Sequence, residues 1–215
     1  MNNLDAIAAE IDAAFEIVNA RREAALNQSR SLVRQCSTLI RTVHQRDWQG
    51  VDDQITALHA AANALRESVE DYPELVHTGY TQDAFKEYCE ALITLALVRG
   101  DDALPTPEAL NVLPSTYLNG LAEAASELRR QVLNLLRDGE MAESRRLLAV
   151  MDTVYDVLFS FEYPDAVTGG LRRRVDQLRA VLERTRGDVT TSLRQERLLA
   201  AMRALEARLN VAENG

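Results

Sequence analysis

The chain has 215 residues, enough for one sizeable core, with 47% hydrophobic residues, few glycines and prolines (9 and 5) and a formal net charge of −9. That charge excludes a wholly basic, unstructured nucleic-acid binder, while local positive faces remain allowed because affinity follows local potential. The longest apolar run, Ala91 to Val98, is too short to span a membrane and the N-terminus lacks a basic n-region, so a soluble cytoplasmic protein with no membrane partner is expected.

From about Leu4 to Asp47 there is no proline or glycine, and Ile7, Ile11, Phe15, Val18, Leu32, Val33, Leu39, Ile40 and Val43 recur at helical spacing. One helix of about 60 Å is predicted. Such length implies packing along several partners or into an oligomer. Asp47 to Gly50 breaks it, and a second helix is predicted from Val51 to about Tyr72, before Pro73. Thr81 is the expected N-cap of a third, Gln82 to Arg99, closed by Gly100.

A short helix lies between the prolines of "LPTPEALNVLP". Ser115 then caps Thr116 to Asp138, ending at Gly139, and Glu140 to Phe161 follows. "YPDAVTGG" reads as a connection, although Pro164 could open a helix. The last helices are Leu171 to Arg186 and Val189 to about Asn214, split at Gly187-Asp188. No stretch alternates at period two. The expectation is an all-α bundle of seven or eight helices in one domain spanning residues 1–215, without internal repeats.

On a helical wheel the third helix gathers Phe85, Tyr88, Cys89, Leu92, Ile93 and Ala96 on one side and sets Glu87 and Glu90 on the other, one turn apart. The Ser115 helix repeats the pattern: Leu118, Leu121, Ala125, Leu128, Val132 and Leu136 form its stripe, with Glu123 and Glu127 opposite. Two readings stand. Paired glutamates on a polar face are commonly solvated charge. Alternatively, two helices that each present a carboxylate pair converge on one divalent cation, which takes hard oxygen ligands and suits phosphodiester cleavage.

Other catalytic patterns are weaker. His44, His59 and His77 lack metal-ligand spacing, and Cys36 and Cys89 sit among apolar neighbours as buried small hydrophobes. No Walker A loop or GxSxG is present. Of the 24 basic residues only Lys86 is lysine. Arg30, Arg34 and Arg41 lie along one side of the first helix, and Arg172, Arg173, Arg174, Arg179, Arg184 and Arg186 crowd the penultimate one. These arginines read either as salt-bridge partners of neighbouring acids or as a surface that tracks phosphates. Few aromatics are available to stack bases, so sequence-specific readout is not supported.

Several stretches in combination resemble the translin family, which includes translin and translin-associated factor X. They are "NARREAALNQSRSLVRQCSTLIRTVHQ", "KEYCEALITLALVRGDDALPTPEALNVLP" with its ExxE pair, "TYLNGLAEAASELRRQVLNLLRDGE" with its YLxG and ELxR elements, "MDTVYDVLFSF" and "LRRRVDQLRAVLERTRGDV". The resemblance covers nearly the whole chain from about residue 19. It implies an all-α subunit that assembles into homo-oligomeric, octamer-type shells and binds single-stranded RNA or DNA. It also implies Mg2+-dependent (or Mn2+-dependent) endoribonuclease activity, because the ExxE pair makes the chain similar to the catalytic subunit type. By motif, Glu87 and Glu90 take the places of the paired acids and Glu123 falls where the family has an aspartate, one methylene shorter. Glu127, in the ELxR element, is implied as a further ligand or supporting acid; the arginine pattern makes Arg30, Arg34, Arg172, Arg173 and Arg174 the expected contacts to nucleic acid. The alternative is a non-catalytic shell that binds nucleic acid without cutting it. The stretch "VHTGYTQDAF" before the third helix is less basic than its family counterpart.

Overall fold

The computed structural model of the chain describes residues 3–213, with side chains through residue 209. Among the described residues every regular element is helical: α1 (Leu4–Gln45), α2 (Val51–Val69), α3 (Pro73–Val76), α4 (Gly79–Arg99), α5 (Pro107–Leu110), α6 (Pro114–Arg137), α7 (Met141–Phe159), α8 (Asp165–Thr168) and α9 (Leu171–Glu213). The all-α expectation holds. Three elements are single turns: α5 is the short helix expected between prolines, α8 follows Pro164 as the alternative reading allowed, and α3 was not expected; in α3 and α5 a proline occupies the first turn, where its missing N–H costs nothing. No described helix is long and apolar enough to cross a membrane.

Several boundaries differ from expectation: α2 ends at Val69 and not near Tyr72, Ser115 lies inside α6 and does not cap it, α7 ends at Phe159, and three further differences have identifiable reasons. α1 stops at Gln45 because Arg46 adopts the left-handed conformation, φ 54°, two residues before the expected end. α4 starts earlier, at Gly79, and Thr81 does not cap it; the Thr81 hydroxyl is buried and donates to the Leu75 carbonyl at 2.9 Å. α9 runs unbroken through Gly187. Its buried positions Leu171, Val175, Leu178, Leu182, Thr185 and Val189 repeat at alternating steps of four and three, so one apolar face passes straight across the glycine. The predicted end near Asn214 lies outside the described residues.

Two compact units are present. The first comprises Met1–Ala124 with Tyr163–Leu171. In it α1 packs against α2 and α4 through Ala25, Leu32, Cys36, Leu39 and Val43, spaced so that one helix face is continuous. The first five turns of α1 are different: Leu4, Ile7, Ile11, Phe15 and Ile17 are all exposed, Phe15 at 68%. The second unit comprises Ala125–Glu162 with Arg172–Gly215. Its core is Leu128, Val132 and Leu135 of α6, Leu147, Met151, Val154 and Leu158 of α7, and Val175, Leu178, Leu182, Thr185 and Val189 of α9. Arg129 ties α6 to α9 through Thr185 at 3.1 Å and Asp188 at 2.8 Å, and Arg186 reaches Asp152 on α7.

α4 is the central helix of the first unit. Its residues from Ala84 to Val98 are buried, apart from half-buried Glu87. This corrects the wheel-based placement of Glu87 and Glu90 opposite the apolar side: α4 has no solvent-facing side along this length, because helices pack around it.

Candidate metal centre

The site is assembled where α4 and α6 touch. Gly120 on α6 makes that contact possible. A Cβ at Gly120 would stand 2.7 Å from the Cys89 Cβ, 2.9 Å from the Lys86 carbonyl oxygen and 3.3 Å from the Glu90 amide nitrogen. The two helix backbones therefore meet directly, closer than any side chain on α6 would permit. Asn119 braces this end of α6, its amide donating to the Thr168 carbonyl on α8 at 2.8 Å.

One turn beyond Gly120, Glu123 faces the pair on α4. Carboxylate oxygens of Glu87, Glu90 and Glu123 all lie within 4.8 Å of one another. Glu90 is buried, and the side chains of Glu87 and Glu123 are 29% and 19% exposed. Three carboxylates held this close repel one another, and Lys86 answers part of that repulsion. Its ammonium, with a side chain only 10% exposed, donates to Glu87 Oε1 at 3.0 Å and pairs with Glu123 Oε2.

The neighbouring residues on α1 and α4 are largely buried. Cys36 on α1 and Cys89 on α4 are free, buried thiols. Burial pushes the Cys36 thiol up, and the nearby Glu87 and Glu90 carboxylates push it further. Burial likewise raises Cys89 to about 12 and Tyr88 to about 12. The donors that converge here are the carboxylate oxygens of Glu87, Glu90 and Glu123. That set suits a hard divalent ion such as Mg2+ or Mn2+ and not a thiolate-bound soft metal.

The other candidate residues are placed elsewhere. Glu127 is one turn further along α6, is half-buried, and is not part of the three-carboxylate group. Arg30 and Arg34 are exposed on α1. Arg34 also borders a cleft of about 410 Å³ between α1 and α2, lined by Ser31, Gln35, Thr38, Gln54 and Ala57. Arg172 and Arg173 are exposed on the first turn of α9 and Arg174 is half-buried there. Two residues were missed as site components. Gly120 was visible only as part of a motif, and Lys86 only as the sole lysine; neither pattern reveals a contact across 30 residues of sequence.

No family model matches the chain. An uncharacterized protein of Methanocaldococcus jannaschii is 31% identical over 191 residues, covering 88% of this chain and 84% of that protein. Among solved structures, AfC3PO in complex with duplex RNA has a TM-score of 0.71 at 28% identity, covering 86% of this chain and 95% of that one. AfC3PO by itself gives 0.71 at 29% identity, with the same coverage. Apo-NeC3PO gives 0.78 at 19% identity over 89% of this chain and 98% of that one, a likeness of fold.

Proposed function

The chain belongs to the translin family, to which the C3PO assemblies also belong, and from that premise we propose that it is an oligomeric RNA-binding protein with Mg2+-dependent endoribonuclease activity, working in the cytoplasm. The observation that carries the catalytic part is the meeting of Glu87, Glu90 and Glu123 from two helices around one point. When bound there, Mg2+ or Mn2+ supplies Lewis-acid polarisation of a phosphodiester and an acidified water. Glu87, Glu90 and Glu123 hold the ion. Glu123 would reach it with one methylene more than the aspartate of the family pattern; Glu127, the further acid implied by the resemblance, lies outside the three-carboxylate group. Arg30, Arg34, Arg172, Arg173 and Arg174 hold the phosphate backbone as bidentate forks.

The decisive experiment is cleavage of single-stranded and duplex RNA with Mg2+, comparing wild type with Glu90→Gln and Glu123→Gln. Losses of roughly 100-fold or more in rate are expected for each, the scale of removing a group that stabilises transition-state charge. Equal rates in all three would take these carboxylates out of the reaction.

Assembly follows from α1. Its first turns expose Leu4, Ile7, Ile11 and Phe15 at helical spacing, a stripe that water alone covers poorly. A homo-oligomer, of octamer-type shell, buries it. Ile11→Glu with Phe15→Glu is expected to lower the sedimenting mass; an unchanged mass would move the interface elsewhere.

One observation favours a second reading, a shell that binds RNA or DNA without cutting it: Lys86 already pairs with two of the three acids. Under that reading gel shifts report RNA binding, while no Mg2+-dependent products form.

A further inference from the structure

Lys86 is the only lysine among the 24 basic residues, and it is buried. Elsewhere the chain places arginine wherever a cation faces an acid, as at Arg129–Asp188 and Arg186–Asp152. Arginine forms rigid, bidentate, durable pairs, whereas lysine is a point charge on a flexible four-carbon stem. The ammonium bridges Glu87 on its own helix to Glu123 on α6, two of the carboxylates between which a metal would sit. An ammonium and a divalent cation cannot share that point, because their repulsion at such separations is large in a mostly desolvated site.

We propose that Lys86 is a resident counter-cation: it holds the three-carboxylate cluster together when no metal is bound, and a divalent ion must displace it to bind. The inference rests on the metal-site reading given under Proposed function. Lys86 then sets the metal affinity from below. The site keeps α4 and α6 docked without metal, and it fills only when the divalent ion is concentrated enough to outcompete an attached charge.

Two measurements test this, with Mn2+ as the probe. The first is calorimetric titration of the full-length wild type, Lys86→Met and Lys86→Arg. Lys86→Met is expected to bind Mn2+ about tenfold or more tightly than wild type, since the competitor is gone. Lys86→Arg is expected to bind at or below wild-type affinity. In chelator, Lys86→Met is expected to melt below wild type, and added Mn2+ to raise its melting temperature by more than it raises that of wild type. Weaker binding by Lys86→Met would overturn the proposal, because Lys86 would then be building the site. If Lys86→Met does not fold with or without Mn2+, Lys86→Arg decides: tighter binding than wild type would overturn it.

The second measurement uses the single lysine directly. Labelled with 13C at Cε, the protein gives one lysine signal, which is expected to shift on saturation with Mg2+ as the ammonium leaves its carboxylates. Mg2+ binding with an unmoved lysine signal would also sink the proposal. The two failures are separable. Wild type that binds Mn2+ while Lys86→Met binds no tighter removes the role of Lys86 and leaves the metal site standing. No binding by any of the proteins removes the metal site, and the competition with it.

Discussion

Gly120 and Cys89 are in backbone-level contact: a methyl group on Gly120 would lie 2.7 Å from the Cys89 Cβ. The neighbour that would have to yield includes the Lys86 carbonyl, at 2.9 Å, which belongs to the helix ladder and cannot move alone. Gly120→Ala therefore pushes α6 away from α4. We expect a loss of about 1–3 kcal/mol, the range for an overpacked core. Glu123 is carried on the same helix, so Mn2+ affinity should fall as well. Denaturant unfolding and a Mn2+ titration check both. Gly79→Ala, where nothing lies within 4 Å, is the control and should neither lower stability nor change Mn2+ affinity; a neutral Gly120→Ala would mean that the contact does not position the acids.

Gly187 gives the opposite expectation. It lies inside α9, has no positive φ, and a Cβ there meets nothing within 4 Å. Replacing it with alanine lowers the backbone entropy of the unfolded chain without a steric cost. Gly187→Ala should add about 0.5–1 kcal/mol to stability in denaturant unfolding. A decrease would show that the helix needs to flex at that residue.

The buried thiols and Tyr88 predict alkaline behaviour. Cys89 rises from its ordinary 9.0 to about 12 and Tyr88 from 10.0 to about 12, and Cys36 is pushed in the same direction. Above pH 9 the unfolded chain loses these protons while the folded chain keeps them. The stabilisation is thus complete below pH 9 and is lost progressively as pH climbs toward 12. Melting temperature should be level on the neutral side and decline across that window, with a shallower decline in Cys89→Ala. An identical slope in the variant would remove Cys89 from the effect. Both cysteines should also resist a thiol reagent in the native protein at pH 8 and react on unfolding.

Arg30 and Arg34 are one turn apart and exposed on α1, with Arg34 at the rim of the α1–α2 cleft. If they hold phosphates, the double substitution to alanine should weaken RNA binding similarly for all sequences. It should also reduce the slope of log affinity against log salt by about 1 to 2, one contact per arginine. Fluorescence anisotropy at several salt concentrations measures this. An unchanged slope would assign the phosphate contacts to Arg172, Arg173 and Arg174 alone.

What the sequence determined by itself was local. The period of 3.6 in the apolar residues, the scarcity of glycine and proline, and the places where they cluster suffice for an all-α chain and for most helix boundaries, since these depend on neighbours within a turn or two. Spacing offered Glu87 with Glu90 and Glu123 with Glu127 as two carboxylate pairs, and the family resemblance singled out Glu123 to join the first pair. The tertiary structure decided the rest. A wheel placed Glu87 and Glu90 on a polar face, but polarity does not say what packs against a face, and α4 turned out to be surrounded. Gly187 looked like a break because glycine is a poor helix former, yet the buried face that crosses it outweighs that preference. Lys86 and Gly120 acquired meaning only once α4 and α6 were in contact. Whether three like charges can be held together depends on what lies between and behind them, and here that is one ammonium and one absent side chain, brought together by packing between distant parts of the chain.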